Sequence, residues 1–197
     1  MVAKLAELRV DPRVTRTQKL IRDALRALLK EKGFESISVQ DIAERATVNR
    51  ATFYAHFTDK FALLDAIVRE DLAWCLAKDD AIAEPDPRRM LQILAKCVFT
   101  FVGKHGQCKV DKDFEPQFEH AMEAELRDYV APRIPVCAAF FVASAIVGMA
   151  MQWRACARKE PIERVSREIV DILSDGVAKH VNPLEAARAH RRSGEGT

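Results

Sequence analysis

The sequence lacks the short motifs that mark the common catalytic classes. It has no phosphate-binding loop, no glycine-rich dinucleotide turn, no HExxH and no nucleophile elbow. Its 29 acidic residues form no arrangement typical of paired catalytic carboxylates. Internal repeats and the period-two alternation of strands are also missing. We therefore predict an all-α protein that is not an enzyme, with no catalytic residue, no cofactor and no bound metal.

Cysteine usage predicts a reducing compartment. The chain has five cysteines, an odd number, widely spaced and without a CxxC pair. Its N-terminal stretch, VAKLAELRV, is too polar for a secretion signal. Free thiols and a cytoplasmic location are therefore expected. The thiols are Cys75, Cys97, Cys108, Cys137 and Cys156.

Charge of one sign is not in large excess, because the net charge is only +2. Its distribution is more informative. Residues 1–60 carry twelve Lys and Arg against eight Asp and Glu, whereas the rest of the chain carries nineteen against twenty-one. Positive charge is thus concentrated in the N-terminal third, as a phosphate-binding surface requires.

One segment, Val136 to Trp153, has no charge over eighteen residues. That length is at the lower edge of a membrane span of about 20 residues. Six of the residues are Ala or Gly, and Ser144 and Gln152 are polar, so the segment is weakly hydrophobic. We interpret it as a soluble helix buried between the protein core and a partner.

The stretch from Ser38 to Lys60 predicts two short helices joined by a tight turn. Ser38 and Asp41 have the spacing of a capping box, and Asn49 is a second N-cap residue. Phe53 and Phe57 lie four residues apart and are expected in the core. Two such helices, the second opening on polar and basic groups, describe a helix-turn-helix.

The residues of this stretch, VQDIAERATVNRATFYAHFTDKFALL, resemble the TetR family of bacterial transcriptional regulators. The match runs from about Leu20 to Leu64, and TFYAHFTDK is its specific core. The resemblance implies an N-terminal three-helix domain joined by a helix to an α-helical ligand-binding and dimerisation domain. It also implies a DNA-binding regulator, and we expect a repressor that binds a palindromic operator as a homodimer.

An α-helix enters the major groove with its N-terminal residues facing the base edges. In this chain Arg50 can donate twice to a guanine, and Thr52 can contact a thymine methyl or a phosphate. The resemblance implies phosphate contacts at the Y-x-H-F-x-x-K positions. The predicted DNA-binding residues are Ser38, Gln40, Asn49, Arg50, Thr52, Tyr54, His56 and Lys60.

Thr47 departs from the commonest pattern of the family, which often has Gly in this turn. A β-branched residue with positive φ is unfavourable by about 1–2 kcal/mol. The turn is therefore either strained or follows another path.

Helical periodicity, together with residues that start or end helices, predicts the remaining helices. The expected ranges are Val14–Lys32, Thr58–Lys78, Pro87–Lys104, Phe114–Val130, Pro135–Arg158 and Pro161–His180. Gly33 is expected to end the first in a left-handed conformation, Thr58 to cap the next, and Pro116 to divide Phe114–Val130 in two. DDAIAEPDP is interpreted as a hinge. The predicted domains are 1–60, with residues 1–13 fraying or extending the first helix, 61–181, and a disordered tail over 182–197.

The family resemblance implies that the last two long helices pair with their copies as a four-helix bundle. Small residues would let a partner helix approach closely, while Phe140, Phe141 and Met149 fill the space. A helix buried in its own core is the alternative. The predicted dimer residues are Ala138, Phe141, Ala145, Gly148, Met149, Ile169 and Ile172.

Regulators of this family usually release DNA when a small molecule enters the C-terminal domain. The few interior charges favour an apolar effector, because an unpaired buried charge is costly. The predicted lining is Trp74, Phe99, Phe101, Phe114, Phe118, Met122 and Trp153, all of which plain core packing would also explain.

Three alternatives stay open. His105, Cys108, Asp111, Asp113 and His120 could bind a metal but are more typical of a polar loop. Cys108, between Lys104 and Lys109, could sense oxidation. The protein could also be an architectural DNA binder without an effector.

Overall fold

The computed structural model describes residues 11–105, 112–156 and 160–177. All regular structure in these ranges is helical, which confirms the predicted all-α class. The helices are α1 (Pro12–Glu31), α2 (Val39–Arg45), α3 (Arg50–Tyr54), α4 (Lys60–Asp79), α5 (Pro87–His105), α6 (Phe114–Val130), α7 (Val136–Ala155) and α8 (Ile162–Val177).

The first three helices form the unit that we call the reading head. The apolar stripe of α1 buries Ile21, Leu25 and Leu28, because these residues recur at helical spacing. Helix α2 packs on α1, and α3 packs on α2. Phe53 and Phe57 are buried in this core, as predicted.

Helices α4 to α8 form the larger unit. Helix α4 packs on α6, α5 packs on both α7 and α8, and α6 packs on α7. The buried side chains form one hydrophobic cluster that runs from Ile21 in α1 to Leu173 in α8. Helix α4 touches both units, so it is placed to transmit movement between them.

Several local predictions are wrong. Gly33 has φ −63° and extended geometry, so the chain leaves α1 without a left-handed residue. Asp59, not Thr58, caps α4, and its carboxylate accepts from the amide of Ala62 at 2.8 Å. Helix α6 is continuous, because Pro116 lies in its first turn, where the missing amide has no helical partner to lose.

The segment predicted as a hinge is held firmly to the end of α6. The Tyr129 hydroxyl donates to the carbonyl of Leu76 and accepts from the amide of Ile82, both at 3.2 Å. The Arg133 guanidinium donates to the carbonyls of Ile82 and Glu84. These bonds satisfy backbone groups around the C-terminal end of α4, which is followed by Asp80 with φ 44°.

Helix α7 is the one helix in the described ranges that is long and apolar enough to cross a membrane. One third of the residues in its most apolar stretch are buried. A single helix of this kind is weak evidence for a membrane span, since core helices of soluble proteins have the same length and composition.

Candidate nucleic-acid interface and regulatory core

The two helices of the motif begin where the caps were predicted. Ser38 Oγ accepts from the amide of Asp41 at 3.1 Å, and Asp41 Oδ2 accepts from the amide of Ser38 at 2.7 Å. Asn49 Oδ1 accepts from the amide of Thr52 at 2.7 Å. Both caps satisfy amides that a helix N-terminus leaves unpaired, which fixes where α2 and α3 start.

Asp41 also joins α2 to the end of α1 through a salt bridge with Lys32. The two bonds from Ser38, followed by the contact with Lys32 at 3.0 Å, lower the pKa of Asp41 to about 2. A second tie joins α1 to α2, since the Arg45 guanidinium donates both nitrogens to Glu31, at 2.9 and 2.7 Å. This pairing lowers the pKa of Glu31.

The turn between α2 and α3 is strained at Thr47, which has φ 57°. This is the left-handed conformation for which the family's commoner glycine is suited. The turn is closed by the amide of Val48, which donates to the carbonyl of Ala43 at 2.9 Å. The chain therefore keeps the tight turn and accepts the strain of a β-branched residue.

Arg50 is exposed at the start of α3 and is oriented by Tyr54, one turn later. The Arg50 guanidinium carbon lies 5.9 Å from the centre of the Tyr54 ring, and Nη2 lies 3.4 Å from the Tyr54 hydroxyl. A side chain already held in one direction loses less conformational entropy on binding. This geometry suits Arg50 to a base contact.

The other predicted DNA-binding residues lie on α2, on α3 or among the residues that flank these helices. Ser38, Gln40 and Asn49 are exposed, while Thr52 and His56 are half-buried. The Gln40 amide is bonded to Glu44 at 2.6 Å.

Lys60 is more deeply engaged than the sequence indicated. Its ammonium donates to the carbonyls of Phe34 at 2.9 Å and Glu35 at 3.2 Å. It also lies 4.5 Å from the centre of the Phe34 ring. Lys60 therefore ties the start of α4 to the turn after α1, and this leaves one of its three N–H groups for another acceptor.

A capped two-helix motif with a tight turn and an exposed arginine at the start of its second helix defines a helix-turn-helix DNA-binding protein. Residues 21–67 match the profile of bacterial regulatory proteins of the tetR family. The reading head is therefore similar to the DNA-binding domain of TetR-family regulators.

Relatives of known description support this assignment. The transcriptional repressor BdcR of Escherichia coli K12 is 26% identical over 149 residues, covering 66% of this chain and 76% of BdcR. The dhaKLM operon activator DhaS of Lactococcus lactis is 39% identical over 57 residues, covering 29% of this chain and 30% of DhaS. The residues that align with another curated relative make up only 15% of that relative's length.

Solved structures extend the likeness to the whole fold. The multidrug binding protein EbrR, solved with imidazole, superposes with a TM-score of 0.58 at 20% identity, covering 79% of this chain and 93% of EbrR. The helices beyond the motif therefore share the fold of that protein.

The residues predicted to line an effector pocket fall into separate places. Phe101, Phe114 and Phe118 form a stack. The ring centre of Phe118 lies 5.9 Å from that of Phe101 and 5.2 Å from that of Phe114. Phe99 and Trp153 meet at 5.7 Å, and Met122 is fully buried. Trp74 lies outside both groups and is 69% exposed, so the structure does not bring it to them.

The residues predicted at a dimer contact lie on α7 and α8, and most of them are at the surface. Phe141 and Met149 are exposed and Ile172 is 78% exposed, while Ala138, Ala145 and Gly148 are half-buried. Ile169 was predicted at the dimer contact, but it is only 5% exposed and belongs to the protein's own core. Val136 and Phe140 are also exposed apolar residues of α7. For Val136 the sequence indicated only that it lies in this helix.

The metal alternative falls mostly outside the described residues, which include neither Cys108, Asp111 nor the side chain of His105. Within the described ranges no group of three or more His, Cys, Asp or Glu could hold a metal. The oxidation-sensing alternative rests on Cys108 and lies outside them too.

Proposed function

We propose that the protein is a cytoplasmic repressor that binds a palindromic operator as a homodimer and releases it when a small, largely apolar effector binds. Residues 1–60 read the DNA, and residues 61–181 dimerise and bind the effector. The tail predicted over 182–197 lies outside the described residues. Ser38, Gln40, Thr52 and His56 contact DNA beside Asn49, Arg50, Tyr54 and Lys60.

The observation that carries the dimer is the apolar face of α7 and α8. Five large apolar side chains on this face are exposed in the single chain: Val136, Phe140, Phe141, Met149 and Ile172. Large exposed apolar side chains on two helices that contact each other are typical of an interaction site. Pairing two copies through it makes a closed twofold dimer, and a twofold dimer requires a twofold DNA site.

Repression and release are supported by the likeness to BdcR, which is described as a repressor, and to EbrR, described as a multidrug binding protein. Buried aromatic residues in the larger unit also favour an apolar ligand over a highly charged one. DhaS is described as an activator, so the direction of regulation needs its own measurement.

Selection of binding sequences from a random DNA pool tests the proposal, followed by a promoter-reporter assay with the selected site. We expect a palindromic consensus and lower reporter output when the protein is present. Arg50→Ala should weaken binding by about 1–3 kcal/mol and relax the consensus at one position in each half-site. A random, uniform output from the selection would favour the architectural alternative, and higher reporter output would make the protein an activator.

A further inference from the structure

A cavity of about 170 Å³ lies where α1, α4 and α6 meet, at the junction of the reading head with the larger unit. Its buried wall is apolar and consists of Leu29, Leu64, Ile67, Val68, Phe114 and Phe118. Arg26, Lys30 and Asp71 complete the lining. These three are at least partly exposed, so the charges face the opening and the apolar wall faces inward.

The wall of this junction cavity is preformed. Phe118 stacks between neighbours, with Phe101 at an interplanar angle of 8° and Phe114 at 19°. The Arg154 guanidinium carbon lies 5.8 Å from the centre of the Phe118 ring, and Arg154 is itself bound to Glu115 at 2.7 Å. Rings held on several sides cannot turn into the empty space, so the cavity is available to a ligand without rearrangement.

Among the charged residues at the opening, Lys30 is the one that is placed to pair with an anion. Arg26 is already neutralised by three carboxylates: Asp71 at 2.6 Å, Asp23 at 3.3 Å and Glu70 at 3.6 Å. Lys30 has no ion pair within the part of the chain that the structure describes. Lys30 is therefore the charged lining residue that is left to pair with a carboxylate of a ligand.

We propose that the junction cavity binds a small aromatic monocarboxylate of the size of benzoate. An apolar cavity of about 150 Å³ is known to accept benzene, so one ring suits the available volume. The ring would pack against Phe114 and Phe118, since aromatic pairs favour offset or edge-to-face contact. The carboxylate would point outward to Lys30.

The position of this site gives it a regulatory consequence, which rests on the proposed operator binding. The cavity joins α1, part of the reading head, to α4 and α6. The Arg26–Asp71 ion pair spans α1 and α4 beside it. A ligand that binds here changes the packing between these helices and hence the orientation of the recognition helix. By linkage, ligand and operator must alter each other's affinity by the same factor.

Calorimetric titration of the full chain with benzoate tests the site, with neutral benzamide as the matched probe. We expect one benzoate per chain, bound about twofold to fivefold more tightly than benzamide, the range that an exposed ion pair supplies. Leu29→Trp should weaken both probes by about tenfold or more, because an indole would occupy the space of the ring. Lys30→Glu should weaken benzoate by about threefold to tenfold and leave benzamide unchanged.

Lys96→Glu is the matched control, because it makes the same charge change on α5, away from the cavity. Lys30 is exposed, so Lys30→Glu remains a valid test if Leu29→Trp does not fold. Absence of saturable benzoate binding overturns the proposal. So does binding that Lys30→Glu weakens no more than Lys96→Glu does.

Operator affinity measured with and without saturating benzoate separates the site from its consequence. A change of about fivefold or more supports regulation through the junction. Saturable binding at the cavity with unchanged operator affinity leaves the site established and contradicts an effector role for it. Failure of the protein to bind any operator would instead contradict the proposed function, and the titration would still decide the cavity.

Discussion

Lys60 illustrates how a single residue can have a structural and a functional role. Its ammonium donates to the carbonyls of Phe34 and Glu35, and Lys60 is the first residue of α4. Its remaining N–H can reach a phosphate only if the turn after α1 is correctly placed. The proposed DNA contact of Lys60 would therefore depend on the integrity of the reading head.

Lys60→Met should lower the free energy of unfolding by about 1–3 kcal/mol, because two carbonyls lose their donor. It should also weaken binding to all DNA sequences alike and reduce the salt slope by about 0.9 per subunit. Urea unfolding and DNA titration at several salt concentrations measure the two effects, with Lys60→Arg as the charge-conserving control. A loss of stability with an unaltered salt slope would show that Lys60 is structural alone.

Thr47 carries the strain of the turn in the motif. Thr47→Gly should raise the free energy of unfolding by about 0.5–1 kcal/mol, since glycine removes the penalty of positive φ but adds freedom to the unfolded chain. Thr47→Ala is the matched control and should give no such gain, because alanine keeps its Cβ. Equal effects of the two substitutions in chemical denaturation would locate the strain elsewhere.

Asp41 makes the stability of the reading head depend on pH. Its pKa is about 2 in the folded protein, below the usual value of about 3.9. The ionised carboxylate therefore stabilises the fold above about pH 4, and this contribution is lost as the pH falls from about 4 to about 2. The difference in urea midpoint between the natural protein and Asp41→Asn should narrow over that interval. A difference that stays constant down to pH 2 would contradict this role.

At the scale of the element, α7 combines an inward and an outward apolar face. Ala139, Val142 and Ile146 point into the core, while Phe141 and Met149 point to solvent. Gly148 lies toward the outer side, where a Cβ built on it would meet nothing within 4 Å. The single chain thus has room for a larger residue at this position.

Gly148→Leu should separate the subunits or misalign the two reading heads, because a leucine would occupy the contact between two α7 helices. The monomer should be no less stable, since leucine favours a helix more than glycine does. Ala77→Leu on the exposed side of α4 is the control for an added surface leucine. An unchanged dimer mass by light scattering, together with unchanged operator affinity, would place the contact on another surface.

Local chemistry explains which elements could be predicted from the sequence. Ser38, Asp41 and Asn49 fix helix starts through bonds to nearby amides, and these were predicted correctly. The choice of Asp59 over Thr58 depends on which of two neighbouring side-chain oxygens, a carboxylate or a hydroxyl, reaches a free amide, and residue type alone does not decide this. Periodicity placed Ile169 on an apolar face, but it does not determine whether that face packs inside the chain or against a partner chain.

The junction cavity had no signature in the sequence at all. Phe114 and Phe118 were predicted to line a site, yet Arg26, Leu29 and Lys30 belong to α1, which the sequence assigned to DNA binding. They meet only because α6 packs beside α4. Side chains distant in the chain define a cavity by their shapes, and no spacing rule encodes those shapes.

At the scale of the whole molecule, the account requires two chains acting together on one DNA duplex. A single α3 presents few groups to the bases, so one reading head distinguishes only a short half-site. Joined by a twofold axis, two recognition helices must contact half-sites about one DNA turn, or a multiple of it, apart. In the proposed dimer, specificity would depend on both chains and on the spacing that a contact through α7 and α8 would set.

The mass of the protein–DNA complex, measured by analytical ultracentrifugation on the selected operator, tests this requirement most directly. The account predicts two chains on one intact palindrome, and binding weaker by at least about tenfold when one half-site is scrambled. A complex of one chain per duplex, with the scrambled site bound as tightly as the intact one, would contradict it.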